Sequence, residues 1–188
     1  MSTSAATRGK TADMAYIAIF ASIIVVCSWI SIPAMVPFTL QTFGVFLAVG
    51  VLGGKRGTMA VLVYLLLGAV GIPVFAGFTG GIGCILGTTG GYIVGFLFSA
   101  MVMWAMECVF GKKTWVLALS MLFGLLVCYV CGTIWFMLVY AAGSGPIGVW
   151  TALMWCVFPY MIPDILKIAL ALRISKRITR TISSIARI

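Results

Sequence analysis

Histidine is absent from this chain, and only three acidic residues face twelve lysines and arginines. Charged residues make up 8% of its 188 positions, against about 25% in an average soluble domain. Fifteen charges cannot cover a soluble fold of this length, because such surfaces are built largely from charged side chains. A soluble globular domain is therefore excluded. Disorder is excluded as well, since it requires low hydrophobicity and 63% of this chain is apolar. The missing histidine and scarce carboxylates leave little material for hydrolytic or metal chemistry. No segment matches GxxxxGK[ST] either: Gly111-Lys112-Lys113-Thr114 lacks the upstream glycine, so the chain has no P-loop of its own. Were it to take part in active transport, the energy would come from a partner or an ion gradient.

What the chain does have is long uncharged sequence. Residues 14–54, 57–106 and 114–163 form uncharged runs of 41, 50 and 50 residues. One helix crosses the hydrocarbon with about 20 residues, so each run suits two crossings and a turn. Glycine and proline mark the turns: Pro33 and Pro37 in the first run, Gly71-Ile72-Pro73 in the second, Gly143 to Gly148 in the third. The expected architecture is an all-α membrane protein, a single domain over 1–188 with six transmembrane helices. The spans are placed at about 14–32, 38–54, 57–71, 89–110, 115–142 and 163–183. The short third span must tilt little or sit in a locally thin bilayer.

Threaded this way, eleven of the twelve basic residues fall on one side. They are Arg8 and Lys10, Lys55 and Arg56, Lys112 and Lys113, and the tail residues Arg173, Lys176, Arg177, Arg180 and Arg187. Positive residues mark the cytoplasmic side, so both termini are expected inside. The same tail is attracted to anionic lipid; nucleic acid would require a folded basic surface with aromatic platforms and is not expected. The N-terminal apolar run is too long for the core of a cleavable signal peptide, and the next hairpin follows at once. The final span has two readings. Pro is welcome in a first helical turn and disruptive later, which starts the last helix near Pro163 and makes 149–158 a short outer helix or re-entrant segment. Alternatively, one long kinked helix runs from residue 149.

Chemistry can live in few places. Six cysteines (27, 84, 108, 128, 131 and 156) fall mostly inside spans; Cys128 and Cys131 have CxxC spacing, but in an apolar helix without histidine or nearby acids. They read as small buried hydrophobes. Residues 77–95 contain eight glycines in nineteen positions. Gly91 and Gly95, four apart on one helix face, suit close helix packing. Gly77 to Gly87 are too dense for a stable helix, and non-helical backbone at this depth must be buried in protein or line a watery cavity. That stretch reads as a folded loop closing over an outer cavity. Asp164 and Lys167, three apart on one helix face, are the strongest signal. An isolated charge inside a membrane costs about 2.5–3.5 kcal/mol on insertion scales, and such residues usually mark substrate or ion routes. The bland alternative is a structural ion pair at a helix start. Glu107 reads as a carboxylate snorkelling to the interface, and Asp13 as an N-terminal helix residue. Ala15, Ala18, Ala21 and Ser22 place small residues three and four apart on the first helix, a face suited to packing on another helix.

Four segments in order carry a resemblance: Val36-Pro-Phe-Thr-Leu-Gln-Thr-Phe43, Tyr64-Leu-Leu-Leu-Gly-Ala-Val-Gly-Ile-Pro-Val-Phe-Ala-Gly77, Thr89-Gly-Gly-Tyr-Ile-Val-Gly-Phe96 and Pro163-Asp-Ile-Leu-Lys167. Together they resemble the BioY family, the biotin-specific substrate-binding (S) components of energy-coupling factor (ECF) transporters. The likeness spans residues 14–175. It implies six helices with both termini inside, in a prokaryotic plasma membrane. It implies a non-enzymatic subunit that takes biotin from an outer site under the loops after the first and third helices. Asp164 and Lys167 are implied contacts of biotin, and the small-residue face of Ala15, Ala18, Ala21 and Ser22 an implied docking face for the transmembrane (T) component. Two ATP-binding cassette ATPases would consume the ATP, with no cofactor in this chain.

The ligand's chemistry suggests further contacts. Asp164 suits the urea N–H groups; Lys167 suits either the urea oxygen or the valerate carboxylate. Loop amides around Gly77 and Gly90, and Thr79, Thr88 or Thr89, suit the carboxylate. Gln41 and Tyr92 are candidate polar contacts, with Phe75, Phe78 and Trp155 as apolar walls. One departure is that Thr88 stands where the family usually has proline in Gly-Pro-Thr-Gly-Gly-Tyr. Three rival readings remain: an S component for another vitamin such as a lipoyl-like or thiamine-like ligand, a small intramembrane enzyme using Asp164, and a structural subunit in which Asp164 and Lys167 merely pair.

Overall fold

The computed structural model describes residues 2–34 and 36–185; Met35 of the first turn and Arg187 of the basic tail lie outside the described residues. Helix α1 (Ser2–Trp29) ends ahead of a proline-bounded turn. There β1 (Ser31–Ile32) pairs antiparallel with β2 (Phe38–Thr39), Ser31 opposite Thr39 and Ile32 opposite Phe38. Pro33 and Pro37 flank the paired residues, where a missing N–H costs no ladder bond. Helix α2 (Gln41–Leu52) follows and turns into α3 (Gly54–Ala69) at a single residue, Gly53, whose φ of 82° favours glycine.

The glycine-rich stretch is folded. A 3₁₀ turn (Ala76–Phe78) and a five-residue helix α4 (Ile82–Leu86) precede α5 (Gly90–Phe110). Its backbone is tied down by Phe75 N–H to the Thr79 carbonyl at 2.9 Å and Gly81 N–H to the Gly68 carbonyl at 2.7 Å. The indole of Trp135 also donates to the Gly87 carbonyl at 2.9 Å. The chain then forms α6 (Thr114–Ser144), α7 (Val149–Cys156) and α8 (Phe158–Ile185).

The last helix departs from the sequence expectation. It begins at Phe158 rather than near Pro163, and Pro163 lies inside it. Pro159 occupies the first turn, where no intrahelical donor is needed. Pro163 sits one turn later, so the bond it cannot make is the one to the Pro159 carbonyl. Residues 149–156 form a separate helix, bent 42° from α8. Neither the start at 163 nor one long kinked helix describes the segment fully.

Helix α2 is the central element. It packs against α1, α3, α5, α6 and α8, and Val45 to Val49 are almost wholly buried. A helix apolar all round is expected in such a position. The most extensive pairing joins α5 to α6. A Cβ on Gly91 would lie 2.2 Å from the Trp135 Cβ, and one on Gly132 2.2 Å from the Tyr92 ring. Only glycine lets these backbones approach so closely. The outward faces stay apolar, with Val26, Phe98, Leu126, Ile134 and Leu166 all exposed, as lipid contact requires. By length and hydropathy, three helices among the described residues suffice to cross a membrane (Lys10–Trp29, Gly90–Phe110 and Thr114–Ser144), and a fourth crossing is added where the bent pair α7–α8 counts as one span. With these apolar spans, the chain is a multi-pass membrane protein. Helices α2 and α3, of 12 and 16 residues, are shorter.

Charged groups collect at one end of the bundle. Arg56 at the start of α3 pairs with Asp13 of α1 at 2.9 Å. Glu107, near the end of α5, accepts the Gly54 N–H at 2.6 Å and pairs with Lys112 at 3.3 Å. Glu107 is therefore a cap for α3 rather than only a snorkelling carboxylate.

Candidate functional site

At the opposite end lies a cavity of about 300 Å³, at the small end of the roughly 300–1,000 Å³ typical of ligand sites. The first loop contributes Val36, Pro37 and Thr39, and the glycine-rich loop Phe75, Ala76, Thr79, Cys84, Gly87, Thr88 and Thr89. Helix α2 adds Gln41 and Thr42; α5 adds Tyr92, Ile93 and Phe96; α6 adds Leu125, Cys128 and Tyr129. Cys156 of α7 and Tyr160, Asp164 and Lys167 of α8 complete the wall.

The ionic pair is its polar centre. Asp164 and Lys167 are only 4% and 7% exposed, and the Lys167 Nζ donates to Asp164 Oδ1 at 2.8 Å. Each is also held by another element. Lys167 donates to the Thr39 carbonyl at 2.7 Å and sits 4.0 Å from the centre of the Phe38 ring. Tyr129 donates to Asp164 Oδ2 at 2.6 Å. Paired and hydrogen-bonded in this way, two charges survive burial that either alone would not. The carboxylate keeps unused lone pairs and the ammonium one further proton, so both can still bond a guest.

A second polar group is similarly fixed. Gln41 accepts from the Thr39 hydroxyl at 3.0 Å and donates to the Tyr64 hydroxyl. Its amide is thus oriented with one donor and one lone pair to spare. Tyr92 lines the cavity, but its hydroxyl lies 3.2 Å from that of Thr133 and donates to the Cys156 carbonyl at 3.4 Å. Tyr160 reaches over to donate to the Val36 carbonyl, tying α8 to the first loop. Thr88 and Thr89 stand at the start of α5, and no side chain caps that terminus. The Gly90 and Tyr92 N–H groups are taken by the Gly87 and Thr89 carbonyls, so the dipole of α5, rather than a set of free amides, offers a positive end to the cavity.

Among the residues expected from sequence, Asp164, Lys167, Gln41, Phe75, Thr79, Thr88, Thr89 and Tyr92 line this cavity. Three others do not. Gly77 has a φ of 69° and nothing near its Cβ direction, which points out of the loop. Gly90 packs on the Ile85 carbonyl, where a Cβ would lie only 1.6 Å away, and so forms the corner between α4 and α5. Trp155 projects from α7 onto Tyr140, with ring centres 6.0 Å apart. Phe78, considered as an apolar wall, is exposed and stacks on Trp29 at 5.0 Å. The small-residue face of α1 divides: Ala15, Ala18 and Ser22 are exposed, whereas Ala21 is buried inside the bundle. Sequence reasoning did not find Thr39 or Tyr129. Nothing in an apolar helix singles out one tyrosine, and the Thr39 group that meets Lys167 is a backbone carbonyl.

Fold and cavity together define a helical membrane protein with a ligand-sized chamber, roofed by two loops and floored by a buried ion pair. The chain belongs to the BioY family, whose model matches residues 1–184. A probable biotin transporter BioY from Pyrococcus horikoshii is 41% identical over 170 residues, covering 90% of this chain and 97% of that one. The biotin transporter BioY of Rhodobacter capsulatus is 34% identical over 180 residues, covering 89% and 93%. That of Thermotoga maritima is 50% identical over 115 residues, covering 61% and 68%. A crystal structure described as the S-component for biotin from an ECF-type ABC transporter superposes with a TM-score of 0.80 at 26% identity. It covers 96% of this chain and 95% of that one.

Proposed function

We propose that this chain is the biotin-binding S component of an ECF-type transporter, a binding and delivery subunit rather than an enzyme. The observation that carries the reading is the buried Asp164–Lys167 pair on the floor of a loop-roofed cavity, in a chain whose relatives are named biotin transporters.

In this reading the urea head of biotin lies against the ion pair. Asp164 accepts from the urea N–H groups, and the remaining Lys167 proton meets the urea oxygen. Gln41 offers its spare donor and acceptor nearby. The valerate carboxylate extends to Thr88, Thr89 and the amino end of α5, where negative charge is favoured; Thr79 is a further donor. Phe75, Ile93 and Phe96 enclose the thioether ring and alkyl chain. A site whose buried polar groups match the urea rejects analogues that would leave them unpaired.

The topology belongs to the same proposal. Helices α1, α2, α3, α5 and α6 each cross once, and α7–α8 form the last crossing, making one domain with six passages in a prokaryotic plasma membrane. The gathering of Asp13, Arg56, Glu107 and Lys112 at one end of the bundle supports a cytoplasmic position for that end and both termini. The T component docks on the exposed Ala15, Ala18 and Ser22 face of α1, with Ala21 packing that helix to its own bundle. Two partner ATPases supply the ATP-driven step.

Equilibrium binding of labelled biotin to the purified chain in detergent tests the proposal, with wild type beside Lys167→Ala. Saturable one-to-one binding that weakens at least tenfold in the variant is expected, equivalent to about 1.4 kcal/mol. A well-folded wild type that binds no biotin overturns the assignment of ligand and turns the search to other vitamins.

A further inference from the structure

Three helices measure how far the glycine-rich roof of the cavity stands from the charged end of the bundle. Glu107 fixes the level of that end, since it holds the Gly54 N–H and Lys112, and Asp13 pairs with Arg56 beside it. At a helical rise of about 1.5 Å per residue, Gly68 of α3 is about 21 Å above Gly54, Gly90 of α5 about 26 Å above Glu107, and Trp29 of α1 about 24 Å above Asp13. The roof hangs between these three points. Gly81 N–H bonds the Gly68 carbonyl, Phe78 stacks on Trp29, and α4 leads into Gly90. The hydrocarbon core is about 30 Å thick, and tilt only lowers a helix end. With the charged end at one hydrocarbon boundary, the roof therefore falls short of the other. Helix α6 is different: it rises about 45 Å from Thr114 to Ser144, so the loop after it stands beyond the hydrocarbon.

The side chains of the roof suit that depth. No charge occurs in residues 57–106. Between Leu66 and Gly90 the side chains able to hydrogen-bond are Thr79, Cys84, Thr88 and Thr89, and all four line the cavity. Val70, Ile72, Phe78, Ile82 and Leu86 are exposed and lie outside it. A loop in water carries polar residues outward. Here the polar groups face the ligand chamber and the apolar ones the surroundings. The backbone is provided for as well. The N–H groups of Val70, Gly71, Ile72, Val74, Phe75 and Gly81 all bond carbonyls of the same segment or of α3. Non-helical backbone is tolerated at membrane depth only where its polar groups are met within the protein.

We propose that the roof of the cavity is seated in the leaflet opposite the charged end, with Val70, Ile72, Phe78, Ile82 and Leu86 against lipid acyl chains. Exposed apolar patches of this kind mark membrane contacts. Opening the roof then displaces acyl chains rather than water. This seat requires the charged end to mark one membrane boundary, as in the topology proposed above, and holds whatever ligand the cavity takes.

The test uses the full chain, one copy per phosphatidylcholine nanodisc. The lipid includes a phosphatidylcholine tracer with a diazirine in the upper half of one acyl chain. After photolysis, mass spectrometry maps the labelled residues. Ile134 of α6 is the internal standard: it is exposed, and its neighbour Trp135 bonds the Gly87 carbonyl at the level of the roof. Labelling within residues 70–86 is expected to match that of Ile134, with the loop at 143–148 labelled severalfold less. An unlabelled roof beside a labelled Ile134 overturns the seat in lipid. Loss of label at both overturns the depth itself, and with it the proposed topology. A second measurement follows unfolding in the same nanodiscs. A charge facing acyl chains is costly, so Ile82→Asp should lower the unfolding temperature clearly, and Ile82→Ala and Ser144→Asp should barely change it. An Ile82→Asp variant as stable as Ser144→Asp places the roof in water and overturns the proposal.

Discussion

The Tyr129 phenol of α6 donates a 2.6 Å hydrogen bond to Asp164 of α8, on the carboxylate oxygen that Lys167 leaves free. The two helices touch only sparingly elsewhere, so this bond joins them at the cavity and fixes how the carboxylate faces a guest. Tyr129→Phe keeps the ring and removes the bond. Hydrogen bonds to charged groups contribute about 1.5–3 kcal/mol. Biotin affinity is expected to fall at least tenfold by isothermal titration, with the fold retained. An unchanged affinity would show that the orientation of Asp164 comes from Lys167 alone.

The ion pair itself separates binding from architecture. Removing one partner leaves a buried charge uncompensated, at a cost of about 3–5 kcal/mol. Lys167→Met and Asp164→Leu should each lower the unfolding temperature in detergent markedly. The double variant Asp164→Leu/Lys167→Met should recover much of that loss, because both charges and both desolvation costs disappear together. Biotin binding should be lost in all three. Restored binding in the double variant would make the pair purely structural.

The pair was legible in the sequence because charge is so rare here: Asp164 and Lys167 stand in an otherwise apolar stretch, and helical spacing puts them on one face. The folded glycine loop was legible for a related reason, since that density of glycine resists a helix. Tyr129 was not, being one aromatic among many in a helix whose apolar character is continuous. The Thr39 contact was invisible because a main-chain carbonyl leaves no residue signature. Position along α8 misled as well. Pro163 marks a helix start only if nothing earlier does, and Pro159 with Phe158 supplied that start a turn sooner. Trp155, adjacent to the site in sequence, turns toward Tyr140 because α7 is a separate helix bent away from α8.

Glycine packing between α5 and α6 yields a stability test that also reaches the cavity. A Cβ at Gly132 would press on the ring of Tyr92, which lines the chamber. Overpacking of this kind costs about 1–3 kcal/mol, so Gly132→Ala should lower thermal stability by that amount and weaken biotin binding. Gly143, on the same helix, has nothing within 4 Å of its Cβ direction. Gly143→Ala should be neutral or stabilising by up to about 1 kcal/mol through helix propensity. Equal effects at the two positions would contradict the close packing.

The outer roof is pinned by a contact outside the cavity. Phe78 stacks on Trp29 at 5.0 Å, and the Trp29 indole donates to the Pro73 carbonyl at 2.9 Å. Helix α1 thereby holds both ends of the loop that carries Phe75 and Thr79. Phe78 also takes a φ of 57°, a left-handed conformation that a bulky residue adopts only when its surroundings impose it. The stacking therefore adds to the backbone bonds that hold this loop, against the preference of Phe78's own backbone. Phe78→Ala removes the stack, which contributes about 0.5–1.5 kcal/mol. Biotin dissociation, followed by chase with unlabelled ligand, is expected to quicken roughly two- to tenfold, the kinetic equivalent of that range. Phe78→Gly also loses the stack but accepts the positive φ without strain, so it should quicken release less than alanine does. If neither substitution alters release, ligand leaves the chamber without opening this loop, and the first loop, tied by Tyr160 to α8, becomes the gate.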